Sequence, residues 1–246
     1  MELFVRLLCC LIPVKKWRKE IRHNLVTLRQ QRKTLEDFGC VIQDNTLTTP
    51  SGVKFDVSGH LDNSLYLVIE VFFSAEYNLN IAKDSVLIDI GMNRAAASLL
   101  FAGNDKIKKV YAYEPFKPTC ELAQKNLALN PRLSPKITAI NCGLGKTDST
   151  LELPYSPSAS VGMSTTHKNL KKRSDTRTET VHIKDVSREF DLILKENTDK
   201  YIIVKCDCEG AEFEIFERLC ETSSIAKIDV VLLEYHFEKP DKLINI

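Results

Sequence analysis

Residues Asp84–Pro115, DSVLIDIGMNRAAASLLFAGNDKIKKVYAYEP, constrain this chain more than any other segment. Val86–Ile90 reads as an apolar strand that runs into Gly91 and a turn of small residues. Ala, Ser, Leu and Phe then favour a helix, and Val110–Tyr113 forms a second strand that ends on Glu114. A strand, a tight turn, a helix, a strand and a terminal carboxylate make up the unit that holds a ribose-bearing cofactor. The turn lets backbone approach the ligand, and the carboxylate accepts hydrogen bonds from the ribose hydroxyls.

Two cofactors compete for that unit. A dinucleotide places its pyrophosphate on the helix N-terminus and normally needs three glycines, G-x-G-x-x-G. Here Gly91 is followed by Met92, Asn93, Arg94 and Ala95, which disfavours a nicotinamide-dependent oxidoreductase. S-adenosylmethionine carries no pyrophosphate. Its methionyl tail needs one close backbone approach and polar partners, which Asp89 and Asn93 supply.

Further strands are expected at Ile137–Cys142, Ile202–Asp207 and Ile228–Tyr235, with helices at Thr119–Leu129 and Ala211–Cys220. Near-continuous apolar strands alternating with helices predict a parallel sheet covered on both faces. Ligands of such sheets sit beyond the carboxyl ends of the strands. Gly91, Glu114, Asn141, Asp207 and His236 all fall at those ends. Upstream, residues 15–38 are charged and helical in character and stop at Gly39. Cys40–Val57 alternates, with turn signals at Asp44-Asn45 and Pro50-Ser51-Gly52, and predicts a β-hairpin. Leu65–Leu79 is expected to form a helix leading into the cofactor domain. Pro154–Arg177 reads as a long loop whose cations (Lys168, Lys171, Lys172, Arg173 and Arg177) either meet an anionic substrate or are simply solvated.

A length of 246 residues suits one domain with an appended segment, and a net charge of +1 argues against a nucleic-acid partner. Eight cysteines occur without C-x-x-C pairs, which points to a reducing cytoplasm and no structural metal. No apolar run reaches the length of a membrane span. In MELFVRLLCCLIPVKKWRKEIR, however, Leu3, Phe4, Leu7, Leu8 and Leu11 share a helical face, followed by cations crowded around Trp17. Residues 1–22 either lie on an anionic membrane surface as a peripheral contact or pack as an ordinary amphipathic helix before a solvated basic stretch.

Several segments together resemble one known family. VLIDIGMN (Val86–Asn93), AINCGLGKTDSTLEL (Ala139–Leu153), SVGMSTT (Ser160–Thr166), YIIVKCDCEGAEFEIFERL (Tyr201–Leu219) and IDVVLLEYH (Ile228–His236) look like the FkbM family of S-adenosylmethionine-dependent methyltransferases. The D-x-E-G-A-E segment, Asp207–Glu212, is the most specific of these. The resemblance implies an α/β class I methyltransferase fold, a Rossmann-like three-layer sandwich with a mostly parallel sheet. It implies O-methylation of a hydroxyl, often on a sugar or glycan. On this reading residues 1–38 are a basic helical segment and 39–246 the methyltransferase domain, with its core at 82–246.

Within that reading, Asp89, Gly91, Asn93, Glu114, Phe116, Asn141 and Asp207 are expected around the cofactor. Glu114 takes the ribose, Asn141 the surroundings of the adenine, and Phe116 packs on its ring or belongs to the core. Asp207 and His236 are the candidates to position or deprotonate an acceptor hydroxyl. Glu209 and Ser164 are expected to meet the acceptor itself. Asp207 with Glu209 offers two carboxylates to a divalent ion, but without an obvious third ligand no metal is expected.

Two departures from the family pattern stand out. Ala95 occupies the place of a second glycine, so Ala95 and Arg94 either crowd the methionyl tail or are absorbed by a wider turn. Only Phe237–Ile246 follows the fifth strand, where the class I fold adds a helix and two more strands. Ile228–Tyr235 would then be an open edge. The hairpin or a second protomer covers it, or the chain is a truncated and inactive remnant that serves at most as a binding module.

Overall fold

Every residue of the strand β4, Ser85–Ile90 (SVLIDI), is buried, the mark of a parallel strand covered on both faces. The structure is a computed structural model and describes residues 27–59, 61–74, 76–163, 165, 173–234 and 236. The amphipathic stretch expected at 1–22, Ser164, Lys168, Lys171, Lys172 and Tyr235 lie outside the described residues. By its internal contacts the chain divides into two units, Met1–Ser74 and Ala75–Ile246.

In the first unit a helix, α1, covers 27–37. Gly39 follows it in the left-handed conformation (φ +83°), which suits a glycine just past a helix end. The hairpin expected at Cys40–Val57 is extended by one strand. β1 (Val41–Gln43), β2 (Thr46–Thr48) and β3 (Lys54–Asp56) form an antiparallel sheet. Asp44 and Asn45 both take positive φ in the two-residue turn, and Ile42 pairs with Leu47. The helix expected at Leu65–Leu79 is α2, Leu61–Phe73. Its Phe73 ring stacks on Phe38 at 4.4 Å, and its Phe72 meets Phe55 edge-on.

The second unit is built on five parallel strands in the order β11-β10-β4-β5-β6. They are β4, β5 (Ile107–Tyr113), β6 (Ile137–Ile140), β10 (Tyr201–Cys206) and β11 (Val230–Leu233). Helices α3 (Ala96–Ala102), α4 (Lys117–Ala128), α5 (Val186–Glu196) and α6 (Glu212–Glu221) connect and flank them. This is the expected Rossmann-like α/β arrangement. Ile88, Ile90, Tyr113, Phe190, Val204, Ile215 and Leu219 belong to one buried cluster. The chain runs β4 to β6 on one side of the sheet and then returns to β10 and β11 on the other. The switch point therefore falls between β4 and β10, where such sheets bind ligands.

A second, three-stranded sheet went unread in the sequence. β7 (Gly143–Gly145) pairs in parallel with β9 (Arg177–Asp185), which pairs antiparallel with β8 (Ser149–Tyr155). The long loop expected at Pro154–Arg177 is thus shortened at both ends by strand. Asp175 ties its base by accepting hydrogen bonds from the Ser156 hydroxyl and the Ser158 N–H. Asp185 caps α5 through Ser187 N–H and pairs with Arg218 of α6 at 2.8 Å.

Candidate functional site

The turn after β4 carries three positive φ angles, at Gly91 (+85°), Asn93 (+51°) and Ala95 (+65°). Its first two N–H groups both donate to the Tyr113 carbonyl, and the Asp207 N–H donates to the Ile90 carbonyl. The turn is thus fastened to β5 on one side and β10 on the other. Beside it opens a cleft lined by Gly91, Asn93, Glu114, Thr165, Asp207 and Glu209, among others.

Glu114 ends β5 where the ribose carboxylate was expected. It is buried, and its carboxylate accepts the Asn93 N–H and the Phe116 N–H, each at 3.0 Å. Burial pushes its carboxyl up to about 7, against the pull of those two donors and of Lys205. Asn93 carries a buried Oδ1 without a hydrogen-bond partner, an acceptor left over beside the cleft.

Five of the expected residues meet at the cleft: Gly91, Asn93, Glu114, Asp207 and Glu209. Asp89, Phe116, Asn141 and His236 are not among its lining residues. Asp89 is fully buried in the sheet, accepting from the Ser98 hydroxyl at 2.6 Å and pairing with Lys205 at 3.3 Å. Phe116 is core, tilted against Tyr155 at 5.4 Å. Asn141 works from outside, its side-chain amide donating to the carbonyls of Glu114 and Pro115. Ala95 and Arg94 are both buried and are not among the cleft-lining residues.

Lys205 was not singled out in the sequence. It sits on β10 in register with Asp89 of β4, and its ammonium donates to the Gly91 carbonyl at 2.7 Å and lies 3.6 Å from Asp207. Burial alone would lower its pKa, but the carboxylates of Asp89 and Asp207 outweigh burial and raise it. The ammonium stays charged. One lysine inside the otherwise apolar YIIVKC was the available signal.

The opposite wall is the D-C-E-G-A-E segment. After Asp207 the backbone reverses through Glu209 (φ +59°) and Gly210 (φ +116°) into α6. This turn brings Glu209 to 3.6 Å from His236 Nε2, while Glu234 lies 3.5 Å from the same nitrogen. His236 Nδ1 stands 3.0 Å from Oε1 of the fully buried Glu212. Burial would lower the His236 pKa, but the Glu212 hydrogen bond and the Glu209, Glu212 and Asp207 carboxylates prevail and raise it. Burial raises Glu209 to about 6; His236 opposes that shift, and Asp207, Glu234 and Glu212 add to it.

Residues 89–245 match the family described as the methyltransferase FkbM domain. Methyltransferase sdnD of Sordaria araneosa is 28% identical over 180 residues, which is 63% of this chain and 69% of that protein. Among solved structures, a crystal structure of methyltransferase FkbM from Methylobacillus flagellatus KT aligns with 87% of this chain at 14% identity and a TM-score of 0.40. This chain spans about half (49%) of that one.

Proposed function

The chain belongs to the FkbM methyltransferase family, and on that premise we propose an S-adenosylmethionine-dependent O-methyltransferase whose acceptor is a hydroxyl of a sugar or glycan. The observation that carries the reading is Glu114, a buried carboxylate at the end of β5 that lines the cleft at the switch point. Each of its oxygens accepts one backbone N–H and keeps further acceptor capacity, which a ribose diol can fill. Asn93 Oδ1, buried and unpartnered, fits the polar end of the methionyl tail. When bound, S-adenosylmethionine supplies an already activated methyl group.

The protein's own task is alignment and proton handling. Gly91 lets backbone approach the donor. Asp207 and Glu209 line the cleft, and His236 lies 3.6 Å from Glu209; the three are the groups that would orient an acceptor hydroxyl and take up its proton. Among the described residues no helix is long and apolar enough to cross a membrane. The six described cysteines are free thiols, which fits a reducing cytoplasm.

Calorimetric titration with S-adenosylmethionine tests the donor assignment. We expect micromolar affinity, about −8 kcal/mol, and a loss of about 10- to 100-fold in Glu114→Gln, because an amide cannot accept charge-assisted hydrogen bonds. Equal affinity in the variant would refute the assignment.

Binding should also depend on pH. In the free protein the Glu114 carboxyl titrates at about 7, above its ordinary value, and ribose hydroxyls donate to the ionised form. Affinity should therefore rise about tenfold between pH 6 and pH 8, with a proton released on binding. The free protein moves the opposite way, losing stability as pH rises from the ordinary carboxylate range through 7. Titrations in buffers of different ionisation heat would count the proton.

A further inference from the structure

We propose that Asp207, Glu209 and His236 form a binding site for a divalent first-row transition-metal cation such as Mn²⁺, at the acceptor end of the cleft. One donor atom from each lies within 4.8 Å of the others. Ligands held about 2.0–2.2 Å from one ion stand at most about 4.4 Å apart, so closure needs only small side-chain movement. Sequence reasoning stopped at two carboxylates without a third ligand. The fold supplies it by bringing the segment after β11 beside the turn after β10.

A cluster of carboxylates alone would not carry this inference. What carries it is the support of the histidine. His236 Nδ1 is tied to Glu212 Oε1 at 3.0 Å, and Glu212 is fully buried. A carboxylate gripping one imidazole nitrogen fixes the tautomer and turns the other nitrogen outward as a lone-pair donor, the arrangement that supports metal-ligating histidines. Here the outward nitrogen is Nε2, and it faces Glu209 and Glu234. The second oxygen of Glu212 has no hydrogen-bond partner, so a buried anionic charge beneath the cluster is only partly compensated.

Four carboxylates (Asp207, Glu209, Glu212 and Glu234) surround one imidazole, and among the described residues the ammonium paired with this group, Lys205 on Asp207, is shared with Asp89. An added cation relieves that crowding. The mixed imidazole and carboxylate donors suit Mn²⁺, Fe²⁺ or Zn²⁺ better than Ca²⁺. Its purpose, though not its existence, rests on the methyl-transfer reading: a cation here would hold an acceptor hydroxyl and make it more acidic.

Mn²⁺ is the probe of choice. Cys206 and Cys208 hold their sulfurs 3.7 Å apart beside the site, and Zn²⁺ would be drawn to those thiols. The full chain, stripped with EDTA, is titrated with Mn²⁺ alone near neutral pH and followed by calorimetry and electron paramagnetic resonance. We expect one ion per chain at a Kd of tens of micromolar, with imidazole nitrogen coupling in the spin-echo modulation. Glu209→Gln and His236→Gln, both at partly exposed positions, should each weaken binding at least about tenfold, and His236→Gln should abolish the nitrogen coupling. Circular dichroism checks that each variant is folded. No binding up to about 1 mM, bound ion without nitrogen coupling, or wild-type affinity in either variant would overturn the site. S-adenosylmethionine titration without metal reports separately on the proposed function, so the two readings fail independently.

Discussion

Lys205→Met should cost the fold about 3–5 kcal/mol, the range expected when one partner of a buried ion pair is removed. Methionine fills most of the volume of the lysine stem, so the loss is electrostatic rather than a cavity. It leaves Asp89, fully buried, with the Ser98 hydroxyl as its remaining hydrogen-bond partner. It also strips the Gly91 carbonyl of its donor and Asp207 of its neighbouring cation. Denaturant unfolding followed by circular dichroism measures the cost. Adding Asp89→Asn removes the orphaned charge, so the double variant should be more stable than the sum of the two single changes predicts. A coupling of about 1–3 kcal/mol is expected between residues in direct contact. Strict additivity would show that the pair contributes nothing as a pair.

The same pair marks where sequence reading ran out. Val86–Ile90 and Ile202–Asp207 were legible as strands because buried parallel strands are runs of aliphatic residues, and the strand ends located the cleft. The charges inside those runs were misjudged. Asp89 read as a cofactor ligand because its partner lies 116 positions away (205 − 89), in register on the neighbouring strand, and register across a sheet is not written in local sequence. His236 was legible as a titratable residue at a strand end. Its support by Glu212 required knowing that α6 begins beneath it.

The second sheet was missed for a different reason. In β9, RTETVHIKD, Val181, Ile183 and Asp185 point inward while charged and hydroxyl residues face out. That is a period of two, the mark of a half-buried strand. It was hidden by the polar composition of the residues before it, which favoured a loop. The turn after β4 was read through its glycine count, yet the structure keeps Asn93 and Ala95 in left-handed backbone as well. Asparagine tolerates that region; alanine pays for it.

Gly91→Ala therefore separates conformational strain from steric exclusion. At Ala95 the left-handed turn carries a methyl group, so positive φ by itself is survivable here. At Gly91 the added Cβ would lie 1.8 Å from the Asp207 carbonyl oxygen and 2.8 Å from its carbon. Both are backbone atoms, and rotating a side chain cannot relieve the clash. Strain of about 1–2 kcal/mol and overpacking of about 1–3 kcal/mol sum to roughly 4 kcal/mol, a fall in Tm of about 10 °C for a domain of this size. Because the displaced atoms belong to Asp207, the damage reaches beyond stability. The donor side of the cleft, fastened to β5 through the Gly91 and Met92 N–H groups, and the acid–histidine side, which begins at Asp207, meet at this contact. Gly91→Ala should accordingly weaken S-adenosylmethionine and Mn²⁺ binding together, whereas Glu114→Gln weakens only the first and His236→Gln only the second. A Gly91→Ala protein with unchanged Tm and both affinities intact would mean that the two walls are positioned independently of this contact.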